Sequence, residues 1–142
     1  MIQRYVIDSS VFNKLYLDEV DRDKAQNLFV QAAENKAKLY APDLLFLEVI
    51  NTAQRCGVPV EKIVELLDAQ KYLMQIRTFN EEEKKVALEI ISQGHPSSGY
   101  PSIYDAIFHA MALCNDAIFI TADRRHYEKT KQLGSIYLLN SM

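Results

Sequence analysis

Hydrophobic residues recur along this chain with two different periods, and the alternation between the periods is its main structural signal. Residues 3–7, QRYVI, form a short run of β-formers that stops at Asp8 and Ser9. Residues 22–34 carry Ala25, Leu28, Phe29, Ala32 and Ala33 at the three-four spacing of an amphipathic helix. KLYA at 38–41 is a second short strand. Pro42 and Asp43 then favour a helix start, giving a helix over about 43–55 that ends at Gly57. Pro59 opens another helix, with Ile63, Val64, Leu66 and Leu67 on its apolar side, running to about Lys71. Residues 72–79, YLMQIRTF, fit either the end of that helix or a short extended piece. A helix over 81–92 has Val86, Ala87, Ile90 and Ile91 as its inner face. QGHPSSGYP at 93–101 is the clearest loop. It leads into a helix over 103–114, a near-continuous apolar strand AIFI at 117–120, a short helix over about 124–132 and a last strand, SIYLL.

Strands alternating with helices predict an α/β fold: a mainly parallel central sheet of four to five strands with helices on both faces. At 142 residues the expectation is one domain spanning 1–142. With 49% apolar and 25% charged residues, the composition excludes extended disorder, and four Gly and four Pro argue against long flexible linkers. The formal charge of −3 excludes a role that depends on bulk attraction to nucleic acid, but not a nuclease, because cations bound to carboxylates can recruit phosphate. Cys56 and Cys114 lack metal-ligand spacing and read as small buried residues in a reducing compartment. The chain shows neither a signal-length apolar opening nor 18 consecutive uncharged apolar residues. A soluble, cytoplasmic protein with no membrane partner is expected.

In parallel sheets ligands bind beyond the carboxyl ends of strands. Asp8 and Asp123 are both expected there. Each acid also has a plain structural explanation. Asp8 precedes Ser9-Ser10 and suits a turn cap, Asp105 completes an S-x-x-D capping box with Ser102, and Asp123 suits the amino cap of the helix that follows. Glu48 resists such an explanation. It lies in LLFLEVI, a helical segment apolar enough to expect most of its circumference to be covered, where an unpaired carboxylate is costly. A buried ion pair or an exposed edge would relieve that cost, as would a metal. Like charges drawn together require protons or cations, and an all-oxygen set suits Mg²⁺ or Mn²⁺ better than zinc. His109, one turn after Asp105, fits a structural histidine better than a site residue.

Four segments carrying these acids resemble the PIN-domain family, in particular the VapC-like toxins of type II toxin-antitoxin pairs. YVIDSSVF is similar to the family's strand-to-acid opening, with Asp8 as first acid and Ser9 as its hydroxyl neighbour. APDLLFLEVINT resembles the glutamate segment at Glu48, followed by Asn51 and Thr52. SIYDAIFHAMA resembles the tyrosine-aspartate-alanine helix at Asp105, and FITADRRHY the closing motif with Thr121 and Asp123. The resemblance spans almost the whole chain in the expected order. It implies metal-dependent hydrolysis of RNA phosphodiesters, with Asp8, Glu48, Asp105 and Asp123 as catalytic and metal-binding acids, Mg²⁺ (or Mn²⁺ in its place) as cofactor, and Ser9 and Thr121 in support. It also implies a cognate antitoxin and a homodimer. The chain departs from the family in its longer loop before Asp105 and in the basic run Arg124-Arg125-His126 before Tyr127. Arg124 and Arg125 are candidates for substrate phosphate, and Tyr100 and His95 for stacking on unpaired bases. A stand-alone RNA-processing or repair nuclease would use the same acids. A noncatalytic module would have no need of all four, and a phosphotransfer receiver fits Glu48 and Asp105 poorly.

Overall fold

The computed structural model describes residues 2–142. Five strands, β1 (Gln3–Ile7), β2 (Ala37–Pro42), β3 (Met74–Arg77), β4 (Ile118–Thr121) and β5 (Ile136–Leu138), form one sheet in the order β3-β2-β1-β4-β5. All pairings are parallel. The helices are α1 (Ser9–Phe12), α2 (Arg22–Ala33), α3 (Leu44–Arg55), α4 (Val60–Gln70), α5 (Glu81–Ile91), α6 (Ile103–Cys114) and α7 (Arg124–Thr130). Consecutive residues Val6 and Ile7 are both completely buried, which requires cover on both faces of the central strand. α6 packs along β1, β2 and β4, and α5 packs on α6. The core is continuous through Phe12, Phe29, Leu39, Leu45, Phe108, Phe119 and Ile120.

The register places the site. Ile7 stands opposite Ile120, so β1 and β4 end side by side, and the Asp8 amide continues the ladder to the Ile120 carbonyl at 3.1 Å. Asp8 therefore leaves β1 next to Thr121. β2 ends beside them and turns through Asp43 into α3, which carries Glu48.

One open alternative is decided and two expectations are corrected. The ambiguous stretch 72–79 contains an edge strand, β3, because Met74 and Ile76 pair with the β2 edge. The α3 surface is less covered than its apolarity suggests: Leu45 and Val49 face the core, whereas Phe46 and Leu47 are exposed. Cys56 is exposed and Cys114 half-buried, since each falls at the end of its helix, where the packed face has run out. The loop 93–101 is closed by paired backbone bonds between His95 and Gly99. A Cβ on Gly94 would lie 2.9 Å from both the Gly99 oxygen and the Tyr100 ring, so this turn needs glycine there.

Candidate active site

Asp8 is held most firmly of the predicted acids. It is 4% exposed, and its Oδ2 accepts from Ser10 Oγ at 2.8 Å and Thr121 Oγ1 at 2.6 Å. Ser10 Oγ also accepts from the Ala122 amide at 3.0 Å, and the Asp123 amide donates to Thr121 Oγ1 at 3.0 Å. Two hydroxyls thus tie the start of α1 to the end of β4. Burial pushes the Asp8 carboxyl up to about 6 against the pull of those hydroxyls, and the charge of Asp105 adds to the rise.

Glu48, in the second turn of α3, is half-buried, and its Oε1 is a buried oxygen with no hydrogen-bond partner. Burial and then the Asp8 charge push it up to about 7, with the Ser9 side chain drawing it partly back. The two serines therefore divide the work. Ser10, which sequence reasoning passed over, holds Asp8, and Ser9 acts on Glu48.

At the head of α6, Ser102 Oγ accepts from the Asp105 amide at 3.2 Å and lies 3.2 Å from Asp105 Oδ2 as donor. The Asp105 carboxylate therefore meets the capping hydroxyl. Burial, then Asp123, raises its pKa. Asp123 performs the expected cap: its Oδ1 accepts from the amides of Arg125 at 2.9 Å and His126 at 3.4 Å.

Electrostatically the acids form a row. Asp8 acts on Glu48, Asp105 on both of them, and Asp123 on Asp105. They share one sheet edge without converging: among the described residues, no three His, Cys, Asp or Glu side chains are already gathered in a geometry that would hold an ion.

The sequence marks His126 only as part of a basic run, whereas the structure buries it beside Asp105. It is 2% exposed, with Nδ1 3.7 Å from Asp105 Oδ2 and otherwise unpartnered. Burial lowers its pKa to about 4, so the ring is neutral at physiological pH. Its position on the buried side of a seven-residue helix is not marked by any motif. His109 is the structural residue expected. Its ring Nε2 donates to the Gly134 carbonyl at 2.7 Å, and it meets His126 edge-on at a centroid distance of 6.0 Å.

Arg124 and Arg125 are exposed and, with Ser98, Glu128 and Lys129, bound a cavity of about 660 Å³. Neither arginine has an ion-pair partner among the described residues; Glu128 is taken by Lys131 at 2.8 Å. Tyr100 is 68% exposed in the neighbouring loop, and the His95 ring is engaged locally by Ser97 Oγ at 2.9 Å.

The same fold occurs in solved structures that share little sequence with this chain. VapBC2 of Rickettsia felis, solved on a DNA fragment of its promoter, matches with a TM-score of 0.69 at 12% identity, covering 96% of this chain and 97% of that one. VapBC-1 of nontypeable Haemophilus influenzae gives 0.67 at 12%, covering 97% and 99%. VapC20 of Mycobacterium tuberculosis, a toxin that cleaves the sarcin-ricin loop, gives 0.63 at 12%, covering 83% and 87%. A sequence search of curated proteins finds no match. The family model of the PIN domain matches residues 5–132, a span that includes every acid of the row, and the chain belongs to the PIN-domain family.

Proposed function

We propose that this protein is a divalent-metal-dependent endoribonuclease, the toxin of a type II toxin-antitoxin pair. The observation that carries the reading is the unpartnered, buried Oε1 of Glu48 beside two further carboxylates. A buried acceptor without a donor costs about 1–3 kcal/mol, and a hard cation removes that cost together with the mutual repulsion. The donor set fits such a group: Asp8, Glu48 and Asp105 would hold it, with Asp123 completing the set. Mg²⁺, with Mn²⁺ as substitute, supplies an activated water and charge neutralisation at the phosphoryl oxygens when bound.

The remaining work belongs to the chain. Ser10 and Thr121 fix the Asp8 carboxylate, so one ligand is preorganised before anything binds. Ser102 fixes Asp105. Neither Ser9 nor Thr121 has a histidine base in contact, so a nucleophilic hydroxyl is not part of the reading. Arg124 and Arg125 draw substrate phosphate toward the row, and exposed Tyr100 offers a face for an unpaired base.

The toxin role draws support from the fold shared with toxin-antitoxin complexes and from apolar surface left uncovered. Val30 on α2 and Phe46 and Leu47 on α3 are 50%, 43% and 63% exposed and are the apolar contacts these helices offer to an antitoxin segment or a second copy of the chain. No helix among the described residues is long and apolar enough to cross a membrane.

The test is cleavage of a mixed pool of structured and single-stranded RNAs by purified protein with Mg²⁺, Mn²⁺ or chelator, with D8N alongside. Metal-dependent cleavage that falls at least about a hundredfold in D8N is the expected result. Equal cleavage by D8N and the parent would remove Asp8 from the mechanism. No cleavage by folded, inhibitor-free parent protein would overturn the reading.

A further inference from the structure

A second polar cavity, of about 440 Å³, is walled in part by Ser9 and Ser10, the serines that follow Asp8. Ser9, Ser10, Asn13, Lys14, Thr52 and Arg55 contribute to its wall. Its volume falls in the range of about 300–1,000 Å³ typical of ligand pockets. It shares no residue with the cavity bounded by Arg124 and Arg125. Their wall residues connect to different acids. Ser10, in this wall, is bonded to Asp8, whereas Lys129, in the other, is felt by Asp105.

The charges of this wall favour an anion. Lys14 is only 7% exposed, its Nζ donating to the Val20 carbonyl at 2.8 Å and lying 3.5 Å from Glu19, the wall's one acid. Arg55, at the end of α3, is exposed and has no ion-pair partner among the described residues. Of the wall's neutral groups, the Thr52 hydroxyl and the Asn13 amide nitrogen can donate to phosphate oxygens, while the Ser10 hydroxyl already donates to Asp8 and the Ser9 side chain acts on Glu48. An unpaired guanidinium set one α-helical turn beyond Thr52 and two beyond Glu48 can follow a phosphate that leaves the acids along α3.

Building on the nuclease reading, we propose that this cavity is a second phosphate-binding subsite, with Arg55 as its anchor, so that an RNA strand is held on both sides of the acids. One strand crosses from the Arg124-Arg125-Lys129 cavity, over Asp105 and Asp8, into the Lys14-Arg55 cavity. Its repeating anions meet cations on either side of the bond that is cut. Arg55 is a positioning residue in this arrangement and does not act on the reacting phosphate. Holding both flanks makes internal cleavage the natural outcome, since a strand that ends at the acids leaves one subsite empty.

The experiment uses a single-stranded RNA containing a site that the parent protein cuts, together with versions shortened from either end up to that site. KM, kcat and their salt dependence are measured for the parent, R55Q and R55K. For the long RNA, R55Q is expected to raise KM about three- to tenfold at low salt, with kcat changing less, and to flatten the dependence of log(kcat/KM) on log[salt] by about one phosphate contact. R55K retains the charge and recovers most of the KM. One of the shortened RNAs, lacking the nucleotides that reach Arg55, is cut with equal KM by R55Q and the parent. A merely structural arginine would leave the salt slope alone and would affect both shortened RNAs alike. Parent-like KM and salt slope in R55Q would overturn the subsite while leaving the nuclease standing, whereas a parent that cuts no RNA would overturn both.

Discussion

Glu83 and Glu48 are both carboxylates on amphipathic helices that the core draws inward, and their surroundings treat them in opposite ways. Glu83 is fully buried and fully answered. Arg77 donates to Oε1 at 2.9 Å and to Oε2 at 2.6 Å, the Asn80 amide to Oε1 at 2.8 Å, and Asn115 Nδ2 to Oε2 at 2.7 Å. Burial alone would raise its pKa, but these donors outweigh it and hold the carboxyl below its ordinary value. Glu48 has acids for neighbours and an oxygen with no donor, and it is pushed up to about 7. The first arrangement is complete as it stands. The second is stable only with a proton or a cation supplied from outside, which is the property a metal-dependent active site requires.

The largest effect should come from breaking the complete site. E83A strands the Arg77 guanidinium, which is itself only 28% exposed, and removes the reciprocal cap of α5. Loss of about 2–4 kcal/mol in urea unfolding is expected. A loss under about 0.5 kcal/mol would show that the network is not a structural keystone.

Next in size is a gain, from neutralising the incomplete site. Asp8 rises from the ordinary 3.8 to about 6 on folding, so the unfolded chain releases its proton first and stability falls as pH rises through that window. Glu48 repeats the pattern from 4.5 to about 7. Glu83 has the opposite sign: its contribution is present above 4.5 and is lost as pH falls through its lowered value. In metal-free buffer at pH 7.5, D8N should therefore be more stable than the parent by about 1–3 kcal/mol, while losing its activity. A D8N protein no more stable than the parent at pH 7.5 would mean that the ionised row is not under strain.

A smaller effect should follow from the cation itself. Millimolar Mg²⁺ at pH 7.5 is expected to raise the parent's Tm by about 2–6 °C and that of D8N or E48Q by much less. Equal shifts in all three would place the binding elsewhere.

The contrast also explains what was legible in the sequence. The parallel sheet could be read because each strand is a short apolar run bounded by turn residues, and Asp8 and Asp123 because strand ends are where ligands gather. Glu48 stood out because its segment is so apolar, although Phe46 and Leu47 prove exposed and the surface is less covered than expected. β3 was obscure because its four residues pair with β2 through backbone bonds that leave no periodic side-chain signature. Glu83 carries no distinguishing signal within EEEKK, since its partners Arg77 and Asn115 come from other elements. The burial of His126 beside Asp105 and the Lys14-Arg55 cavity were invisible for the same reason: each is assembled by tertiary contact between segments that are ordinary when read alone.

The finest test concerns adjacent serines. Resemblance makes Ser9 the hydroxyl neighbour of Asp8 and a support of the carboxylates; in the structure Ser10 bonds Asp8, and Ser9 acts on Glu48. S10A removes a donor from the Asp8 carboxylate and leaves the Ala122 amide without its acceptor, at a cost of about 1 kcal/mol. Because that hydroxyl holds the Asp8 pKa down, its loss should push the acid end of the row further up and extend the metal-free loss of stability to higher pH. S9A leaves Asp8's side-chain donors in place and should alter only the part of the profile set by Glu48. Unfolding free energies of both variants between pH 4 and 8, without divalent ions, separate the two. A wider window in S9A than in S10A would return the role to Ser9, and with it the simpler picture in which one serine serves the first acid and Glu48 stands alone.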